Sequence, residues 1–168
     1  MSVRKPDELT HLNAHGHPHM VDVGGKPDTQ REARVEALVR LGARAFDLAC
    51  SGGHRKGDVL QVARLAGIQG AKRAADLVPL CHPLPIDAVS VDITPHPTEG
   101  GGGLIRVVST VRTRWRTGVE MEAMTAASAA ALTIYDMLKG TERGIVIEKL
   151  RLLEKKGGRS GHWVASSS

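Results

Sequence analysis

Chemistry-bearing side chains stand at the two ends of one stretch, RTGVEMEAMTAASAAALTIYDMLK, residues 116–139. At its start, Glu120 and Glu122 flank Met121; at its end, Asp136 precedes Lys139 by three positions. Residues two apart on an extended segment point the same way. Gly118 and the branched Val119 favour an extended approach, so the two acids would aim together into one site with Met121 turned away. The same pattern fits ordinary first-turn acids favoured by the helix dipole. Asp136 and Lys139 fall on adjacent turns of one helix face. They are either a surface ion pair worth about 0.3–0.5 kcal/mol or a lysine whose proton affinity is set by its carboxylate neighbour. From Glu122 to Asp136 a helix rises about 21 Å, too far for both ends of one copy to serve a small-molecule site. Two copies packed antiparallel through Ala126, Ala127, Ala129, Ala130 and Ala131 would bring the glutamate end of one to the Asp–Lys end of the other. The expectation is a composite site at a two-fold interface; otherwise these small residues only seat the helix on its own sheet.

Other candidates lie outside that stretch. In PLCHPLP, prolines stiffen the loop around Cys81 and His82. An ordered imidazole there suits proton movement near neutral pH, although a loop histidine with a backbone partner reads the same way. Cysteine–histidine nucleophilic chemistry and a metal site are also raised, but adjacent side chains rarely converge on one ion. Lys56 precedes a helix whose natural cap is Asp58, where free amides attract phosphate; the glycine spacing does not match a Walker loop. Arg31, Lys155, Lys156 and Arg159 supply further cations, the last three around the glycine-rich GGRSG. His15, His17 and His19 in HGHPH could chelate a metal in isolation, but that segment reads as a mobile loop.

These groups need a scaffold. With 168 residues and 41% hydrophobic content, the chain suits one folded domain spanning residues 1–168, with 1–18 and 164–168 as mobile ends. Its aromatics are Phe46, Trp115, Tyr135 and Trp163, so the core must be built from Val, Leu, Ile and Ala. A net charge of +5 suits an anionic partner. Nucleic acid is disfavoured, because so few aromatics are available to interleave with a basic patch. No apolar run approaches membrane-spanning length. Cys50 and Cys81 form no C-x-x-C pair, which makes a reducing cytoplasm the default.

Along the chain, Met20 to Val23 reads as a short strand ended by Gly24, Gly25 and Pro27. Residues 28–42 read as a helix, capped by Asp28 or Thr29 and followed by Gly42. A second helix starts after Asp58 with an apolar stripe of Val59, Val62, Ala63 and Ala66. IDAVSVDITP and LIRVVSTVRTR alternate and read as a hairpin across TEGGGG. The alanine-rich helix follows, then GIVIEKLRLLEK as a strand. The class is α+β, an antiparallel sheet with helices on one face.

Four segments taken together, MVDVGGKPDTQREA, KGDVLQVARLAGIQGAKRAADLVPLCHPLPI, TGVEMEAMTAASAAALTIYDMLK and RLLEKKGGRSG, resemble the cyclic pyranopterin monophosphate synthases, the molybdenum cofactor biosynthesis protein C family. The resemblance runs over roughly residues 9 to 163 without large gaps. It implies a ferredoxin-like fold assembled as a hexamer, a trimer of dimers, with active sites at the dimer interface. It also implies a lyase that converts 3′,8-cyclo-7,8-dihydroguanosine 5′-triphosphate to cyclic pyranopterin monophosphate and releases pyrophosphate. By motif, Asp136, Lys139 and Lys56 match catalytic residues. Leu80, Cys81 and His82 match one substrate-binding loop, and Met121 and Glu122 a second, with Glu120 beside them. Arg31 and Lys155 match basic residues near the substrate, while Arg159 stands where lysine is usual. No tightly bound cofactor or resident metal is implied. Whether Mg²⁺ accompanies the triphosphate is open, since no carboxylate cluster declares a magnesium site. The rival classes are a nucleotide-binding regulator without catalysis and a nucleic-acid-binding module.

Overall fold

The computed structural model describes residues 11–13, 15–52 and 57–166. Five strands form one sheet in the order β2-β3-β1-β4-β5: β1 Thr29–Leu41, β2 Ala88–Pro97, β3 Gly103–Trp115, β4 Val146–Lys156 and β5 Trp163–Val164. Every pairing is antiparallel. The helices are α1 Ala43–Cys50, α2 Val59–Ala71, α3 Ala74–Leu77 and α4 Glu120–Leu138. The order β1, helices, β2, β3, α4, β4 is the split β-α-β arrangement of a ferredoxin-like fold.

The largest departure from the sequence reading is at residues 29–41, expected as a helix and found as β1, the strand between β3 and β4. Ala33, Val35, Ala37, Val39 and Leu41 are all buried on the helix-covered face. The intervening Glu32, Arg34, Glu36 and Arg40 face the open side, where the neighbouring strands supply partners. Glu36 binds Arg106 of β3 at 2.6 Å and Arg151 of β4 at 3.0 Å. Arg34 pairs with Glu154, Glu32 with Lys156, and Arg40 with Glu148. Burial pushes the Glu36 carboxyl up, but the two guanidinium groups outweigh it and hold the group below its ordinary range. Good helix formers thus give way to a strand with one face buried and most charges of the other paired across the sheet. The strand expected at Met20–Val23 is also absent; that segment is irregular. Helix α1 had no counterpart in the sequence reading.

Elsewhere the pattern holds. The hairpin β2–β3 turns through Gly100, Gly101 and Gly102, all at positive φ. Asp58 caps α2 by accepting from the amides of Leu60 and Gln61. Helix α4 lies over β1, β3 and β4, and α2 lies beside it over β2. Ser109 of β3 donates to the Ala123 carbonyl at 2.7 Å and ties the first turn of α4 to the sheet. The α2 face that packs inward is Val59, Ala63, Gly67, Gly70 and Ala71, while Val62 is exposed.

Small residues let α2 and α4 approach closely. A Cβ added at Gly70 would lie 2.7 Å from the Ala129 Cβ and 2.9 Å from the Thr125 carbonyl oxygen. Gly70→Ala should therefore lower the unfolding free energy by about 1–3 kcal/mol through overpacking. That would override a gain of about 1 kcal/mol in helix propensity. A urea titration with an unchanged or raised midpoint would show that α2 slides without resistance.

Candidate active site

One end of the sheet gathers several chain segments. β1 begins there, β3 and β4 end there, and α4 starts there, with Thr29 paired to Trp115 and Glu32 to Lys156. The proline loop after α3 is pinned to the same end. Thr113 of β3 donates its hydroxyl to the Pro85 carbonyl, and the Asp87 amide donates to Arg112 at 2.9 Å. A turn closed by the Cys81 amide on the Val78 carbonyl, 2.9 Å, presents Cys81 and His82.

Two adjoining hollows open at this end. The first, about 460 Å³, is lined by Leu80, Cys81 and His82 from the loop, Glu120 and Met121 from α4, and Lys26 and Arg159. The second, about 530 Å³, is lined by Lys26, Arg31, Arg116 and Arg159 with Thr29, Thr117 and several glycines. Lys26, Thr117, Gly118 and Arg159 belong to both. The two hollows are therefore lobes of one cleft that meet along these four residues.

Each side chain in the ring of contacts has a traceable reason for its position. The His82 Nε2 lies 2.8 Å from the Val21 carbonyl oxygen. A carbonyl can only accept, so Nε2 carries the proton and Nδ1 of a neutral ring is left as the acceptor. Lys155 donates to Glu120 Oε1 at 2.9 Å. Glu122 is only 3% exposed and lies behind the loop, where the Cys81 thiol donates to its Oε1 at 3.6 Å. Its Oε2 is buried without a protein partner, and the residue lines a further hollow of about 310 Å³ with His82 and Lys72. Burial pushes the Glu122 carboxyl up, with a smaller push from Glu120 and opposing help from a backbone hydrogen bond and Cys81.

The two acids do not lie on an extended segment, as the sequence suggested. They are the first and third residues of α4, about 200° apart around the helix. Glu120 thus reaches the cleft and Lys155, while Glu122 points into the protein. A Cβ at Gly118 would meet the Glu120 carboxylate, so a side chain there would turn that carboxylate out of its present position.

Burial first, and Glu122 second, push the Cys81 thiol up to about 11. Cys81 is therefore a neutral hydrogen-bond donor near pH 7, not a nucleophile, since the thiolate is the reactive form. At pH 8 its alkylation by iodoacetamide should be roughly 100-fold slower than in the unfolded chain, given the rise from 9.0 to about 11 and the dependence on thiolate fraction. Equal rates by peptide mass spectrometry would contradict the Cys81–Glu122 contact.

Of the residues singled out in the sequence, Leu80, Cys81, His82, Glu120, Met121, Arg31 and Lys155 meet around this cleft, with Glu122 just behind it. Asp136 and Lys139 do not. Their 2.6 Å ion pair is exposed at the other end of α4, about 21 Å from Glu122 by helix rise. Asp136 raises the lysine's proton affinity and keeps it charged. Lys56 lies outside the described residues. Lys26 and Arg116 were not singled out in the sequence: Lys26 is a lone cation after two glycines, and Arg116 is the last of the alternating Arg112, Arg114 and Arg116, which read as the outward face of a strand. Among the described residues, no cluster of three or more His, Cys, Asp or Glu side chains is placed to hold a metal ion.

A ferredoxin-like sheet with acids, a cysteine–histidine loop and several cations at one end defines an α+β protein with a basic cleft of small-molecule size. The MoaC family model matches residues 20–158. The chain belongs to the MoaC family, whose members are enzymes of molybdenum cofactor biosynthesis. No described helix is long and apolar enough to cross a membrane.

Proposed function

We propose that this protein is a cyclic pyranopterin monophosphate synthase, a cytoplasmic lyase that converts 3′,8-cyclo-7,8-dihydroguanosine 5′-triphosphate to cyclic pyranopterin monophosphate and pyrophosphate. The observation that carries the reading is the joining of two unlike lobes in the cleft of a MoaC-family chain. One lobe offers Glu120, His82 and the Cys81 loop; the other is lined by cations without a carboxylate. Carboxylates suit the N–H edge of a guanine-derived ring, and cations suit the charge that gathers on a departing pyrophosphate.

The catalytic aspartate and lysine expected from the family resemblance, Asp136 and Lys139, sit at the far end of the sheet. This supports a two-chain site in which one protomer's Asp136–Lys139 pair completes its partner's cleft, within a homohexamer built as a trimer of dimers. Beside that end, Leu132, Tyr135, Ile147 and Leu150 leave apolar surface exposed on α4 and β4. A contiguous patch of this kind marks a protein contact. Lys139 enters the reaction as an ammonium, held so by Asp136, and is assigned to donating a proton during base rearrangement. Lys56 is assigned to the same chemistry.

The test is product formation. Pure protein incubated with the cyclic dihydroguanosine triphosphate should release pyrophosphate and a pterin that becomes fluorescent on oxidation, with and without a chelator to define any Mg²⁺ requirement. A nucleotide-binding regulator would bind the compound and return it unchanged. A nucleic-acid module would instead show steep salt-dependent binding to oligonucleotides.

A further inference from the structure

We infer that the turn carrying His15, His17 and His19 is a binding site for a divalent transition metal of the zinc type, with imidazoles as its ligands. The turn is tied at several points. Its two arms pair through an antiparallel bridge of Leu12 with Pro18. On either side of that bridge the Asn13 amide donates to the His17 carbonyl and the His19 amide to the His11 carbonyl, both at 2.9 Å. The Asn13 side chain accepts from the amides of His15 at 2.9 Å and His17 at 3.0 Å. Gly16, at φ +76°, takes the left-handed position that closes the turn, and its amide donates to the Asn13 carbonyl at 2.9 Å. Pro18 fixes its own φ and keeps His17 extended.

The pairing decides where the rings go. Residues opposite one another across antiparallel arms share a face, and residues two apart along an arm share it too. With Leu12 and Pro18 on one face, His11, His17 and His19 fall on the other. His15 joins them from the turn, its ring centroid 6.4 Å from that of His17. All four residues are exposed, whereas His82 and His162 each have a ring nitrogen bonded, to Val21 and to Glu154. Among the described residues no three such groups converge on one point as they stand. A zinc ion shared by two imidazoles at the tetrahedral angle, with Zn–N of about 2.0–2.1 Å, puts their centroids about 5 Å apart. His15 and His17 therefore need to close by about 1 Å, which rotation of two exposed side chains supplies. His19, beyond His17 on the same face, is the third ligand, and water takes the fourth position. Imidazole ligands suit zinc, copper and nickel, while magnesium demands oxygen. The turn also stands beside the cleft. His11 and Val21 line its first lobe, and the Val21 carbonyl fixes His82, so a bound metal stiffens one wall of it.

Zn²⁺ titrated into the untagged full chain against a chromophoric chelator should bind, and Mg²⁺ should not compete for the site. Affinity should follow the order Ni²⁺ < Cu²⁺ > Zn²⁺. His17→Gln removes the central ligand and should weaken Zn²⁺ at least roughly 10-fold, since even the indirect partners of a metal cost that much. Asn13→Ala, which leaves every histidine in place but unties the turn, should weaken it roughly 10-fold as well. His96→Gln, at an exposed position on β2, should change it less than about twofold. In spectra of the histidine side chains, Zn²⁺ should shift the rings of His15, His17 and His19. Equal affinity in Asn13→Ala would make these histidines a loose chelating string, and a shift of His82 with none at His17 would put the metal in the cleft. Either result overturns the site, as does an absence of Zn²⁺ binding. None of these readouts needs substrate, so the metal site and the proposed reaction stand or fall separately.

Discussion

Two variants that are each nearly inactive, Asp136→Asn and Glu122→Gln, should recover about a quarter of wild-type turnover when co-assembled. The number follows from symmetry. In the proposed two-fold dimer each site takes its Glu122 end from one chain and its Asp136 end from the other. Random pairing makes half the dimers mixed. In each mixed dimer one site receives both native ends and the other receives both altered ones, so roughly one site in four is intact. Asp136→Asn should lose about 10²- to 10⁴-fold, the usual range for a group that serves proton transfer, and Glu122→Gln should lose turnover by loosening the Cys81 loop that it anchors. Both substitutions are close in shape to the native side chain, and the Asp136 side chain is 62% exposed, so the fold should tolerate them. If both ends came from one chain by some rearrangement, every site would carry one lesion and mixing would recover nothing. Co-expression with two affinity tags isolates the mixed species, and a dimer holding one chain of each kind then carries one intact site in two.

That experiment bears on how much of the site the sequence could show. The ends of α4 were legible, because the alanine-rich run between Glu122 and Asp136 has no breaker and its length is simple arithmetic. The direction of its first acids was not. Gly118 and Val119 suggested an extended approach, but the helix starts at Glu120 itself, and a helical turn sends Glu122 inward to Cys81. The hairpin, the Asp58 cap and the strand at β4 were legible from alternation, capping chemistry and branched residues. β1 was misread because TQREARVEALVRL satisfies two periods at once. Val35 and Val39 recur at helical spacing, and Ala33, Val35, Ala37, Val39 and Leu41 recur at strand spacing. Glu, Ala, Arg and Leu then tilt the composition toward helix. What decides the matter lies elsewhere in the chain: Arg106 and Arg151 on the flanking strands, which give buried Glu36 its partners. The same limit applies to Lys26 and Arg116. They join Arg31 and Arg159 only after β1, β3 and the loop following β4 have been brought to one edge.

The loop following β4 carries the other large effect. Gly157 and Gly158 have φ of +94° and +76°, and both press against the start of β1. A Cβ at Gly157 would strike the Gln30 carbonyl, and one at Gly158 would strike the Arg31 guanidinium. The loop can therefore pass this close to Arg31, with Arg159 next along the chain, only without side chains. Gly158→Ala meets two penalties: a left-handed backbone unfavourable for any residue with a Cβ, and a collision. The first costs about 1–2 kcal/mol. The second must displace either Arg31 or the loop that carries Arg159. Gly161 supplies the internal control, since it too has positive φ, +64°, but a Cβ there meets nothing within 4 Å. Gly161→Ala should cost the same 1–2 kcal/mol in a denaturant titration and leave turnover nearly unchanged. Gly158→Ala should show a similar or larger loss of stability, together with a fall in kcat/KM of about 10²-fold, the scale set by misplacing a binding group by an ångström. Equal turnover in the two variants would mean that the position of Arg31 does not matter to the reaction. A collapse of both would mean that the loop serves the fold rather than the cleft.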